Sequence, residues 1–129
     1  MALDVHVVTP EREVWSGEAA MVIARGTDGE VGILSGHAPL LIQLAVGPLR
    51  IEQAEGNWVA AVVDGGFMHV TSGEDGTRVD VMASNAEMAS EIDADAARRR
   101  RDDLVASADD GDAAKAELAK AEARIAITG

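Results

Sequence analysis

Short apolar runs separated by turn residues fill the first two-thirds of the chain. Residues 3–8 and 77–82 carry hydrophobic side chains at alternating positions, which is the period of a half-buried strand. All three prolines and eleven of the thirteen glycines precede residue 86. The pattern predicts strands at residues 3–8, 14–24, 30–34, 40–46, 49–53, 58–63, 67–71 and 77–82. About eight short strands must close as a sandwich or barrel to bury their apolar faces.

The remaining residues have the composition of helices. Residues 87–129 contain no proline and thirteen alanines. Residues 84–87 have the spacing of a capping box, Asp93 is a second candidate N-cap, and residues 107–112 read as a turn in which Asp112 caps the next helix. One helical stripe then contains Ala114, Leu118, Ala121 and Ile125. We predict a mainly β fold with an α segment: an antiparallel β-sandwich domain at 1–86, then an antiparallel two-helix hairpin at 87–129.

The predicted hairpin has too few large apolar side chains to be stable alone. Its apolar burial has to offset the conformational entropy lost when its backbone and side chains are ordered. We therefore expect it to dock on the sandwich or on another protein, as a movable element does in a conformational switch. The large apolar residues are Met88, Ile92, Leu104, Val105, Leu118, Ile125 and Ile127.

Charge and composition exclude several classes of function. The chain has 11 basic and 23 acidic side chains, a formal net charge of −12, which disfavours nucleic acids and anionic lipid surfaces. It has no cysteine, which excludes disulfides and thiol chemistry. Residues 31–49 are uncharged, but their glycines and prolines argue against a membrane span and for a buried or partner-facing segment. We expect a soluble, acidic, intracellular protein that lacks a targeting signal.

No group of residues has the spacing of a catalytic or metal site. The histidines, His6, His37 and His69, lie in separate β segments without a metal-ligand pattern. The glycine-rich segments lack the lysine of a phosphate-binding loop, and no nucleophile motif is present. We predict no catalytic residue, no metal and no cofactor.

Four consecutive arginines, Arg98, Arg99, Arg100 and Arg101, are the one cationic cluster in the sequence. Helical spacing lets Asp95, Asp102 and Asp103 pair with the first two, which would make the cluster a solvated face. The second two have alanine, leucine or valine at the same spacings. They are candidates for an acidic partner surface.

A series of motifs resembles the epsilon subunit of F-type ATP synthases, bacterial type. It begins at residues 29–41, which read GEVGILSGHAPLL where that family has G-E-x-G-I-L-P-G-H-A-P-L. The resemblance covers nearly the whole chain in the correct order. The further matches are Val14-Trp15-Ser16-Gly17, Asp64-Gly65-Gly66-Phe67, Ser90-Glu91-Ile92-Asp93 and Ala116-Glu117-Leu118-Ala119-Lys120-Ala121.

The resemblance implies a non-catalytic subunit of the central rotor stalk, which couples proton translocation to ATP synthesis. The family's β-sandwich packs on the gamma subunit and rests on the ring of c subunits. It would lie at the cytoplasmic face of the bacterial membrane and associate with the membrane only through the complex, with no nucleic acid partner. The residues expected to face gamma and the c ring are Glu30, Gly32, Ile33, Leu34, His37, Pro39 and Leu40.

The resemblance also implies a regulatory role for the hairpin. In this family the hairpin either folds against the sandwich or extends into the catalytic head, where it inhibits ATP hydrolysis. The catalytic head consists of alpha and beta subunits. In the extended state, basic residues of the first helix face acidic loops of the beta subunits. Arg98, Arg99, Arg100 and Arg101 occupy that region here.

Three positions depart from the family pattern. Ser35 replaces a proline, and His69 stands where Glu is common. The nucleotide motif I/L-D-x-x-R-A, which some members carry, keeps Ile92 and Asp93 but has Ala96 in place of its arginine. Only a remnant of a nucleotide site is therefore expected. The alternative to the family reading is a free-standing acidic β-sandwich that binds proteins of an unrelated complex.

Overall fold

The computed structural model describes residues 2–54, 56–107 and 109–128. Within them nine strands precede two helices, and neither helix is long and apolar enough to span a membrane. A 3₁₀ turn at Ala89–Glu91 leads into α1 (Ala94–Ala106), and α2 spans Asp112–Thr128. The strands are β1 (Leu3–Val8), β2 (Glu13–Ala19), β3 (Met21–Gly26), β4 (Gly29–Leu34), β5 (Leu40–Ala54), β6 (Asn57–Val63), β7 (Phe67–Gly73), β8 (Gly76–Met82) and β9 (Ala86–Met88).

The strands form two layers that share β5, which confirms the predicted sandwich. Sheet 1 has the order β2-β1-β8-β7-β5 and uses the first part of β5, residues 40–43. Sheet 2 contains β4, β3, the second part of β5, β6 and β9. The pairs are antiparallel except β1 and β8, which run parallel. The family-like residues 29–41 therefore run from the edge of sheet 2 into sheet 1.

Strand β5 is continuous where the sequence predicts a break. The runs 40–46 and 49–53 were expected as separate strands because Gly47 and Pro48 lie between them, but one strand spans Leu40–Ala54. The strand changes sheets just before this dipeptide, and a bend of that kind favours a small residue. A Cβ on Gly47 would lie 2.9 Å from Cδ of Arg25, so glycine also gives the arginine room.

The predicted run 14–24 is two strands rather than one. Ala20 separates β2 in sheet 1 from β3 in sheet 2, and its N–H donates to the carbonyl of Glu52 at 2.6 Å. One long apolar segment can therefore supply a strand to each sheet, because every second side chain of each strand faces the core between the sheets.

The core lies between the two sheets and is rich in valine. Its largest members are supplied by β1, β4, β5 and β7, and all are less than 2% exposed. Val, Ile and Leu at alternating positions fit this pleated, half-buried surface. The largest fully buried side chains include Leu3, Ile33, Leu49, Ile51, Met68, Val5, Val7, Val22, Val63, Val70 and Val79.

The first helix begins after the capping box that was predicted at residues 84–87. Residues 84–87 do not start a helix, because β9 pairs with β6 there. Asp93 is the N-cap of α1, as predicted, and its side chain accepts from the N–H of Ala96 at 3.1 Å. Asp112 is the first residue of α2 rather than its cap, since the carbonyl of Gly111 accepts from the N–H of Lys115. The division at residue 86 stays a prediction.

Candidate functional site: an exposed apolar surface and a docked hairpin

The loop between β4 and β5 is flanked by exposed leucines. We call residues 35–39 the partner loop. Leu34, before it, is 59% exposed, and Leu41, after it, is 62% exposed. Pro39 is also exposed, whereas Leu40 is partly buried against the core. Exposed large apolar side chains on either side of a loop make it a candidate for contact with another protein.

The structure divides the predicted interface residues into two groups. Glu30 and Gly32 are exposed on β4, and His37 is partly exposed in the partner loop. Ile33 is fully buried, so predicting it as a partner contact was wrong. The alternation of β4 turns Ile33 into the core and Leu34 outward. A groove of about 340 Å³ between the β3–β4 turn and β5 brings Glu30 and Leu41 to one surface.

Sequence reasoning missed an apolar band across the outer face of sheet 1. Leu41, Phe67 and Met82 form this band, and the last two are 49% and 42% exposed. Phe67 pairs directly with Met82, and Leu41 is its diagonal neighbour in the register. Phe67 and Met82 also line a recess of about 420 Å³. The available signal was the alternation of β5, β7 and β8, which turns these positions away from the core.

The hairpin is docked on sheet 2, and α2 makes the contact. Helix α2 packs on β5 and β6, and its buried residues are Ala121, which belongs to the predicted stripe, and Ala123, which does not. Near its C-terminal end a cavity of about 640 Å³ remains, lined in part by Trp58 and Ile127. Small side chains and an incompletely filled contact give this docking little apolar burial.

Two ion pairs connect α2 to the sandwich. Lys120 Nζ lies 2.9 Å from Asp64 Oδ2, and the lysine side chain is only 15% exposed. The hydrogen bond to Asp64 raises the pKa of Lys120, and burial of the ammonium opposes that shift. Arg124 Nε donates to Glu87 Oε1 at 2.9 Å in a partly buried setting. Partly buried pairs of this kind are stronger than exposed ones because water screens them less.

The four arginines of α1 lie on an exposed helix with local partners. Arg98 pairs with Asp95 at 3.0 Å, as the spacing predicts. Arg101, which has apolar residues four positions before and after it, pairs instead with the adjacent Asp102 at 3.0 Å. Arg100 reaches Glu117 of α2 at only 4.0 Å, and Arg99 forms no ion pair within the described part of the chain. The cluster therefore keeps cationic surface toward solvent.

The remnant of the nucleotide motif lies beside a cleft that disfavours phosphate. Ile92 and Asp93 line this cleft of about 340 Å³ at the start of α1, but the Asp93 carboxylate caps the helix. Two arginines face three carboxylates there, a net charge of −1, and Arg124 already pairs with Glu87. The N–H of Met88 and the guanidinium of Arg12 lower the pKa of Glu91, which keeps it ionised. The lining carboxylates are Glu87, Glu91 and Asp93.

Acidic and imidazole side chains do not form metal clusters in residues 2–54, 56–107 and 109–128. Within these ranges no three of them lie close enough together to hold an ion. His6 instead contacts Asp4 at 3.0 Å and Glu13 at 3.3 Å on the outer face of sheet 1. The contact with Asp4 lies within β1 and the contact with Glu13 joins β1 to β2, so both are surface hydrogen bonds of the sheet.

Comparisons with known sequences agree with the motif series. A family model described as the beta-sandwich domain of the ATP synthase Delta/Epsilon chain matches residues 2–89. The ATP synthase epsilon chain of Streptomyces avermitilis is 41% identical over 111 residues, which cover 84% of this chain and 86% of that one. The epsilon chain of Thermobifida fusca is 50% identical over 98 residues, 74% of this chain and 69% of that one.

Solved structures with the same fold come from ATP synthase complexes. A chain in the cryo-EM structure of the Euglena gracilis mitochondrial ATP synthase, comprising OSCP, F1 and c-ring, matches with a TM-score of 0.82 and 25% identity. That match covers 99% of this chain and 82% of the Euglena chain. A chain from the central stalk and c-ring of the Tetrahymena thermophila enzyme matches with a TM-score of 0.63 at 15% identity, a likeness of fold alone.

Proposed function

The chain belongs to the epsilon family of ATP synthases, and on that premise we propose that it is a non-catalytic rotor subunit that helps couple proton translocation to ATP synthesis. The observation that carries this proposal is the exposed apolar band of Leu41, Phe67 and Met82 on sheet 1, in the strand that follows the partner loop and its neighbours. A protein in which three large apolar side chains cross one sheet face needs a partner to cover them. Family membership favours this reading over a free-standing binding module.

The partner assigned to this surface is the gamma subunit, with the c ring beneath the sandwich. Glu30, Gly32, His37, Pro39 and Leu40 remain in the proposed surface because their positions leave them wholly or partly exposed. Ile33 is removed from it. Leu41, Phe67 and Met82 are added because they extend the apolar area from the partner loop across sheet 1. Through these contacts the subunit joins the complex at the cytoplasmic face of the bacterial membrane.

The hairpin is proposed as the regulatory element that restrains ATP hydrolysis when it leaves the sandwich. Its docking rests on alanines and two ion pairs, which makes undocking accessible. On α1, the side chains of Arg98, Arg99 and Arg100 are exposed and that of Arg101 is partly exposed. An extended hairpin would carry these four arginines to acidic surfaces of the beta subunits. Nucleotide binding by Ile92 and Asp93 is not included, because the adjoining cleft is acidic and the Asp93 carboxylate caps α1.

Affinity purification from the chain's own host tests the placement. A tagged chain is expressed at its natural level, membranes are solubilised gently, and co-purifying proteins are identified by mass spectrometry. The proposal predicts recovery of alpha, beta, gamma and c subunits in the proportions of one complex. Recovery of the chain without gamma would contradict it.

A further inference from the structure

A buried threonine holds the partner loop from beneath. Thr77 of β8 is 4% exposed and is the one buried polar side chain among the described residues. Its Oγ1 accepts a hydrogen bond from the N–H of Gly36 at 2.8 Å, across 41 positions of sequence. A buried hydroxyl without a partner is unfavourable, so this contact links the loop to the core of the sandwich.

A second hydroxyl completes the connection. Ser72 Oγ lies 2.7 Å from the carbonyl oxygen of His37, to which it donates, and 3.0 Å from Thr77 Oγ1. A hydroxyl carries one proton, so Ser72 must accept the hydrogen bond of the Thr77 hydroxyl. The direction is therefore fixed: the Gly36 N–H donates to Thr77, Thr77 to Ser72, and Ser72 to the carbonyl of His37. Two adjacent backbone groups of the loop are held by one closed chain of hydrogen bonds.

The loop needs this support because its backbone conformation is specific. Gly36 has φ +87°, a left-handed conformation, and is the third residue of a sharp turn that the N–H of His37 closes on the carbonyl of Leu34 at 3.1 Å. A Cβ on Gly36 would meet nothing within 4 Å, so side-chain packing does not hold the loop there. The hydroxyl pair supplies the restraint that packing does not.

We propose that Thr77 and Ser72 are positioning residues, which hold Gly36 and His37 so that the partner loop is preordered for the gamma subunit. This inference rests on the proposed function, because it requires the loop to be part of the gamma-binding surface. A loop that is already ordered loses less conformational entropy when it binds. Removing the hydroxyls should therefore weaken gamma binding even though neither side chain needs to touch gamma.

The test compares Thr77→Val, which has nearly the same shape without the hydroxyl, with Thr77→Ser, which keeps it. The ligand is a purified alpha-beta-gamma complex stripped of this chain, titrated well below the unfolding temperature of each variant. We expect Thr77→Val to weaken binding about tenfold and to speed hydrogen exchange at the Gly36 amide. Thr77→Ser should restore both. Ser72→Ala is the second variant, because Ser72 is exposed and its loss should leave the fold intact.

The outcomes distinguish the positioning role of the two hydroxyls from the proposed binding of gamma to this surface. Unchanged affinity in Thr77→Val and Ser72→Ala, with faster exchange at Gly36, would overturn the positioning role. Equal weakening by Thr77→Ser and Thr77→Val would also overturn it, because the hydroxyl would then not be the cause. Leu41→Asp tests the surface itself, since it changes an exposed contact and leaves the hydroxyl pair intact. If only Leu41→Asp binds normally, the proposed surface is wrong at the apolar band and the loop effect stands.

Discussion

Lys120 of α2 and Asp64, which follows β6, form a 2.9 Å ion pair that joins the hairpin to the sandwich. The two residues belong to separate family-like motifs, Asp64 to residues 64–67 and Lys120 to residues 116–121. Arg124 and Glu87 add a second pair about one helical turn further along. The two fully buried residues of α2 are alanines, so the ion pairs add to a contact whose most buried side chains are small.

Neutralising the two acidic partners should release the hairpin. Asp64→Asn with Glu87→Gln removes both pairs, and each partly buried pair contributes on the order of 1 kcal/mol. Trp58 lines the cavity near the end of α2, so its fluorescence in a Trp15→Phe background reports docking. We expect a shift toward the spectrum of a chain truncated before α1. Arg98→Gln breaks an exposed pair within α1 and should leave the emission unchanged; a shift of equal size there would refute the assignment.

Docking should weaken at high pH because of Lys120. Its pKa is raised from the ordinary value of 10.5, chiefly by the hydrogen bond to Asp64. A raised pKa in the docked state gives stability that is complete below the ordinary value and is lost as the pH rises through the raised one. The Trp58 emission should therefore be constant from neutral pH to about pH 10 and change above it. Lys120→Met should abolish this alkaline step, and an unchanged step in that variant would contradict the assignment.

Truncating two neighbouring residues of β4, Ile33 and Leu34, should change the free energy of unfolding by very different amounts. Ile33 is fully buried and Leu34 is 59% exposed. Ile33→Ala should lower the free energy of unfolding by about 2–5 kcal/mol because it leaves a cavity. Leu34→Ala should change it by less than about 0.5 kcal/mol. Urea denaturation measures both, and similar values would show that the register of β4 is wrong.

Gly66 should not tolerate a side chain. Its φ is +102°, and a Cβ there would clash with the carbonyl oxygen of Met82. Gly66→Ala should therefore destabilise the sandwich by more than about 2 kcal/mol, since both strain and a backbone clash oppose it. Gly32→Ala is the control, because its Cβ would meet nothing within 4 Å. Thermal unfolding should separate the two variants, and equal melting temperatures would contradict this geometry.

The sequence predicted the β-sandwich and the hairpin because their signals are local. Alternation gives strands such as β1, and Asp93 marks the start of α1 through its own capping bond. The sequence could not predict that β5 continues through Gly47 and Pro48. The course of β5 is fixed by its pairing with β6 and β7, which local sequence patterns do not reveal. The same limit applied to the hairpin contacts, since nothing local connects Lys120 with Asp64.

The placement of the candidate site at residues 29–41 stays a prediction, and the sequence did not give its composition. The motif at residues 29–41 did not distinguish the buried Ile33 from the exposed Leu34. Phe67 and Met82 were missed because their proximity arises only from the pairing of β7 with β8. Thr77 was missed because a hydroxyl residue in a strand has no local signature of a long-range hydrogen bond.

Binding of two matched variants to the gamma-containing complex tests the central claim most directly. Leu41 and Val105 are similarly exposed, at 62% and 65%, but Leu41 lies in the apolar band and Val105 on α1. The account predicts that Leu41→Asp weakens binding at least about tenfold, because a charge would be buried against gamma, whereas Val105→Asp binds as the parent chain does. Equal affinities for both folded variants would contradict the placement of gamma on this surface.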